Sequence, residues 1–106
     1  MTTISNRQKK QFRTIGHHLR PAVTIGSKGL TDSVLSELDR ALKDHELIKI
    51  KLTLGDRDAN MSALQQLSGN LNVSVIQQVG NTALIYMPAE KPDPKLSNIL
   101  RSATFS

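Results

Sequence analysis

From Ala22 to Leu52 the chain reads as strand, glycine-framed loop, capped helix and second strand, and this order constrains the fold more than any other feature. Val23, Thr24 and Ile25 are β-branched and favour a strand over Ala22–Ile25. Gly26-Ser27-Lys28-Gly29-Leu30 interrupts it. Thr31 then suits a helix N-cap, with Leu30 and Leu35 at the spacing of a hydrophobic staple, and Val34, Leu38, Ala41 and Leu42 continue an apolar stripe to His45-Glu46. Leu47 to Leu52 sets Ile48, Ile50 and Leu52 against Lys49 and Lys51, the alternation of a half-buried strand. Two strands joined by a helix lie parallel with a right-handed crossover. That unit is the seed of an α/β sheet.

The flanks extend the same logic. Ser5-Asn6-Arg7-Gln8 is a capping box, so a first helix begins there and stops before Pro21. Phe12, Ile15 and Leu19 fall on one side of its wheel, within about 60°, and Lys9, Lys10, Arg13 and His17 on another, spread over about 100°. A third helix is expected from about Arg57 to Leu71, with Met61, Leu64, Leu67 and Leu71 as its apolar stripe and Gly69-Asn70 ending it early. Val73–Val79 and Thr82–Met87 are strands, and Gly80-Asn81 between them marks a tight antiparallel hairpin. The order α-β-α-β-α-β-β predicts a four-stranded mixed sheet with three helices, in one domain over residues 1–88. Pro88, Pro92 and Pro94 punctuate the C-terminal stretch, so 89–106 is expected as a flexible tail with a weak apolar group at Leu96, Ile99 and Leu100.

Charge is distributed unevenly. Residues 1–30 hold six Lys or Arg and no acid, residues 31–60 hold seven acids against five cations, and the net charge is +5. A helix that merely solvates itself usually mixes signs, so the all-cation first helix favours a polyanion partner over plain solvation. The absence of cysteine rules out disulfides and thiolate metal sites, and no apolar run has membrane-spanning length, so a cytoplasmic protein is expected.

The loop is where chemistry is expected. Glycines allow close backbone approach, the following helix turns its N–H groups toward it, and Lys28 adds a mobile cation, a combination suited to phosphate. A purely structural turn is the bland alternative. Gly26-Ser27-Lys28-Gly29 has neither the P-loop spacing nor the three glycines of a dinucleotide fingerprint, which argues against a nucleotide-using enzyme. Neighbouring His17 and His18 diverge on a helix and His45 belongs to another element, so they are expected at the surface rather than as metal ligands. Asp56 and Asp58 read as turn and helix-start residues, not as an acid pair. No cofactor, metal, small-molecule substrate or membrane is called for. The few aromatics, Phe12, Tyr86 and Phe105, offer little base stacking, so any nucleic acid is expected to be held by backbone and shape, with modest sequence preference. Lys49 and Lys51 either contact RNA or keep an exposed sheet face soluble. A protein adaptor docking on another protein through the sheet or the Pro-rich tail is the competing class.

Over roughly positions 4 to 88 these features resemble the YhbY-type proteins, the bacterial stand-alone form of the CRM domain. The resemblance is carried by Arg7-Gln8, His18-Leu19-Arg20-Pro21, Val23-x-Ile25-Gly26-x-Lys28-Gly29-Leu30-Thr31, Glu46 to Lys51, Val79-Gly80 and Leu84-Ile85-Tyr86. It implies a fold similar to the C-terminal domain of translation initiation factor three, a GxxG loop used as in KH domains, and binding of rRNA in precursors of the large ribosomal subunit. The RNA contact would fall on Gly26, Ser27, Lys28 and Gly29, with Lys9, Lys10, Arg13, His17, Arg20, Lys49 and Lys51 beside it, in a monomeric ribosome-biogenesis factor. Asn81 and Met87 stand where a cation is frequent in that family, which weakens the far edge of such a surface.

Overall fold

A computed structural model of the chain describes residues 4–93 and 95–99. Its elements are α1 (Asn6–His17), β1 (Pro21–Ile25), α2 (Asp32–His45), β2 (Leu47–Leu52), α3 (Arg57–Asn70), β3 (Ser74–Val79) and β4 (Thr82–Tyr86). Each helix starts at a side-chain cap. Ser5 and Gln8 form the reciprocal capping box, Thr31 Oγ1 accepts from the Val34 N–H at 3.2 Å, and Asp56 Oδ1 accepts from the Ala59 N–H at 2.7 Å. Such caps are worth about 1 kcal/mol each.

The strands lie in the order β1-β2-β4-β3, with β1 and β2 parallel and β4 antiparallel to both its neighbours. The crossover through α3 therefore skips one position, which β4 fills by folding back through the hairpin. Gly80 takes a positive φ of 56° there, so a residue with a side chain would strain the turn.

Alternation along β2 sorts the side chains into two cores. Ile48, Ile50 and Leu52 join Val23, Ile25, Ala83 and Ile85 beneath α2 and α3, whose Leu38, Leu42, Leu64 and Leu67 are buried against them. On the opposite face Leu47, Leu84 and Ile76 receive Phe12 and Ile15 of α1, with Leu19 and Tyr86 packed around them. The Phe12 and Tyr86 rings meet at 4.8 Å between centroids. Gly16 lets α1 sit close: a Cβ there would come within 2.5 Å of a Leu84 methyl.

Three expectations need correction. The third helix continues through Gly69 to Asn70, because the Ser68 hydroxyl and Asn70 amide donate to the Leu64 and Gln66 carbonyls and hold the last turn. Met61 is 43% exposed, and its place on the inner stripe is taken by Asn60 and Ala63. His45, expected at the surface, is half-buried and donates from Nδ1 to the Leu96 carbonyl at 2.8 Å.

That last bond belongs to an anchorage that the proline punctuation does not reveal. Glu46, the C-cap of α2, has a φ of 62° and a buried carboxylate that accepts from the Ala89 N–H at 3.0 Å and the Ser97 hydroxyl at 2.8 Å. Its carbonyl takes the Met87 N–H, and Asn98 Nδ2 donates to the Leu47 carbonyl at 2.7 Å. The described part of the expected tail is thus tied to the α2–β2 junction. Pro94, residues 100–106 (Leu100 and Phe105 among them) and residues 1–3 lie outside the described residues.

Two measurements check this packing. Gly16→Ala should lower stability by about 1–3 kcal/mol through overpacking against Leu84, whereas Gly69→Ala, where a Cβ meets nothing within 4 Å, should raise it by about 0.5–1 kcal/mol in denaturant unfolding. Burial first, and the nearby Glu46 carboxylate second, push the Tyr86 hydroxyl above its ordinary value of 10.0. The folded state therefore holds that proton more tightly than the unfolded chain. Its contribution to stability should be full below pH 10.0 and fall as pH rises through the raised value, a loss that Tyr86→Phe removes in alkaline unfolding curves.

Candidate nucleic-acid interface

The sheet separates charge as well as apolar side chains. None of the nine acidic residues lies in α1 or in any strand; four are on α2, one caps it, two open α3 and two follow β4. The α1 side of the sheet instead carries Lys9, Lys10 and Arg13 on the helix, and Lys49 and Lys51 on β2, which alternate with the residues buried under α2 and α3. Among the described residues, an ion pair within 4.0 Å joins Lys43 and Asp39 on α2, at 2.9 Å, and none involves these cations. Unpaired cations on an acid-free face make a positive field that a polyanion would neutralise.

α1 leaves part of this face uncovered, where Thr24 and Lys51 are exposed. Its C-terminal end stops over β4 and β2, where Gly16, His17, Lys49, Gln77, Thr82 and Leu84 enclose a notch of about 200 Å³. Beyond the helix the sheet is open, with Thr24 paired to Lys51 and both exposed. Arg20 is exposed and directly precedes Pro21, the residue of β1 that pairs with Lys49. The structure thus brings His17 and Lys49 together, with Lys51 two residues further along the same face of β2 and Arg20 at the start of β1. Lys9 and Lys10 sit a turn before Phe12, near the Tyr86 end of the sheet, about 20 Å from the glycine loop by helix and strand rise.

The glycine loop stands at the carboxyl end of β1, about 10 Å along the strand direction from Lys49. The Gly29 N–H donates to the Gly26 carbonyl at 2.9 Å, closing a turn whose corner residues, Ser27 and Lys28, are exposed. The two glycines do different work. Gly29 has a φ of 70°, a conformation that a side chain disfavours, whereas Gly26 has an ordinary φ, and a Cβ there would meet only Thr53 Oγ1, at 4.0 Å. The helix end contributes less than the loop pattern suggests, because α2 starts only at Asp32, which brings a carboxylate into the first turn beside the Thr31 cap. The turn and Lys28 are left as the anion-facing part of this end.

Sequence reasoning missed Thr53 and Asn60. Thr53 donates from both its N–H and its hydroxyl to the Ile25 carbonyl, at 2.9 and 3.2 Å, and so pins the loop after β2 against the residue preceding Gly26. Asn60, buried in α3, accepts from the Leu54 N–H at 3.2 Å. A buried asparagine on a helix's inner stripe is a signal the sequence does contain, but only the fold shows which loop it holds.

Comparison with known proteins bears on the family and the fold. Residues 4–87 match the CRS1 / YhbY (CRM) domain family. A probable RNA-binding protein of Pseudomonas aeruginosa is 47% identical over 100 residues, covering 94% of this chain and 96% of that protein. An RNA-binding protein of Haemophilus influenzae is 36% identical over 91 residues, covering 86% and 92%. The solution structure of a Staphylococcus aureus protein superposes with a TM-score of 0.72 over 84% of this chain and 93% of that one, at 24% identity, which supports the fold. With the match spanning all three helices and all four strands, the chain belongs to the CRS1 / YhbY (CRM) domain family.

Proposed function

We propose that this protein binds RNA, gripping the sugar–phosphate backbone with the Gly26–Gly29 turn while the cations of the α1 face hold the flanking phosphates. The observation that carries this reading is the segregation of charge by the sheet: an acid-free face holding Lys9, Lys10, Arg13, Lys49 and Lys51, bordered by a glycine turn that presents Lys28. Relatives named as a probable RNA-binding protein and an RNA-binding protein support it. From the loop past Lys51 and Lys49 to His17 the surface is long enough for several nucleotides, and its chemistry is that of counterion release. The described residues offer no exposed aromatic platform, since Phe12 is buried and Tyr86 half-buried, so shape and backbone dominate recognition. Structured rRNA in precursors of the large ribosomal subunit, bound in the cytoplasm by a monomer during assembly, is the target that the family resemblance favours. The adaptor reading lacks a matching feature on this face, where the open sheet is cationic rather than apolar.

The test is binding to a structured rRNA fragment over a salt series. Affinity should fall with salt at a slope corresponding to roughly four to six phosphates, and Lys28→Glu should remove most of it. Lys49→Glu with Lys51→Glu should weaken binding too; unchanged affinity would assign both lysines to solubility. The two glycines give a second check. Gly29→Ala should cost about 1–2 kcal/mol of stability, whereas Gly26→Ala should leave stability intact and still weaken RNA binding if the backbone approaches the ligand there. Normal binding by Lys28→Glu would reduce the loop to a turn, and absence of RNA binding would favour the adaptor.

A further inference from the structure

Beside the glycine loop, at the same end of the sheet, the chain leaves a cleft of about 850 Å³ between the β2–α3 loop, the first turns of α3 and the β3–β4 hairpin. Thr53 lines it and also binds the Ile25 carbonyl, so the cleft and the loop share a wall. The character of the two changes sharply across that wall. On the loop side stands Lys28. In the cleft the polar groups are mostly uncharged: the amides of Asn60, Gln78 and Asn81, with the thioether of exposed Met61 on the rim. From Ala59 to Ala89 the chain has no charged residue at all. The charges at the cleft mouth are opposed: Arg57 stands beside Asp56, whose carboxylate is turned to the Ala59 N–H as the cap of α3. A phosphate entering here would meet that carboxylate at the helix end, so the cleft suits a neutral group with hydrogen-bonding edges.

Its floor is fixed in place. Asn60 is buried, accepts from the Leu54 N–H at 3.2 Å and reaches Asn81 Oδ1 with its Nδ2 in a long contact of 3.5 Å. The Asn81 carbonyl takes the Leu52 N–H at 2.7 Å, which holds the hairpin end against β2. Gln78 and Asn81 themselves line the cleft and are exposed, at the β3–β4 hairpin that this bond holds.

We infer that this cleft is a nucleobase subsite, which receives one base of the strand whose backbone the glycine loop grips and reads its edge with the Gln78 and Asn81 amides. The inference rests on the proposed RNA reading and adds to it a source of base preference that an aromatic-poor chain otherwise lacks. Side-chain amides donate and accept at once, as base edges do, and Met61 supplies an apolar surface for the ring face.

The experiment is competition binding with four homopolymeric single-stranded RNAs of equal length, at one fixed salt concentration, for the native chain and for Gln78→Ala/Asn81→Ala. Both positions are exposed, so the double variant is expected to fold, which an unfolding curve verifies. The native chain should prefer one base by about 5- to 50-fold, the range of one or two net hydrogen bonds. The double variant should lose that preference and keep its salt slope, whereas Lys28→Glu should weaken all four RNAs alike. Equal binding of the four by the native chain, or a preference that survives in the double variant, would overturn the subsite and leave the backbone clamp standing. Failure to bind any of them, together with failure to bind structured rRNA, would overturn both.

Discussion

The alternation of β2 is the constraint on which everything else rests. This strand is paired on both sides, to β1 and to β4, so its register is held by two ladders. Ile48, Ile50 and Leu52 commit one face to the core under α2 and α3, which leaves Lys49 and Lys51 on the other, where α1 stops short of covering them. A slip of one residue would bury two ammonium groups and expose three large aliphatic chains, an exchange that no surface interaction offsets. The fold and the cationic face are consequences of one pattern.

The glycine loop depends on the same strand. Thr53, the residue after β2, donates twice to the Ile25 carbonyl, so the parallel pairing of β1 and β2 is carried one step beyond the sheet and the turn from Gly26 to Gly29 emerges from a fixed base. A binding element made of backbone needs that support, since it has few side chains of its own to lock it. At the opposite end of β2, buried Glu46 performs a comparable task, joining α2, β4 and the segment after Pro88 through one carboxylate and one carbonyl.

Much of this was legible in the residues. The capping box at Ser5, the Thr31 cap and the hairpin at Gly80-Asn81 are local chemistry, and local chemistry survives folding unchanged. The strand order was only partly legible, because the insertion of β4 between β2 and β3 is decided by which apolar faces meet, not by the hairpin that makes it adjacent to β3. Met61 misled because three- and four-residue spacing does not say which side chains a helix turns to its sheet; here Asn60 turns inward to serve the Leu54 N–H and Met61 turns out. The tether of Ala89 and Ser97 to Glu46 could not be read from the prolines, since a buried carboxylate and its donors lie some forty or more residues apart in sequence. For the candidate site, the cations of α1 and β2 were visible as a charge pattern, but that they share one acid-free face is a property of the topology.

The measurement that tests the central claim most directly is a map of the RNA contact on isotope-labelled protein, by following backbone amide shifts as structured rRNA is added. The expected result is a continuous footprint over Gly26–Gly29, Thr24, Lys49, Lys51 and His17, with the outer face of α2 from Glu37 to Asp44 unaffected. A footprint centred on α2, or one confined to the segment after Pro88, would contradict the assignment of the α1 face to RNA.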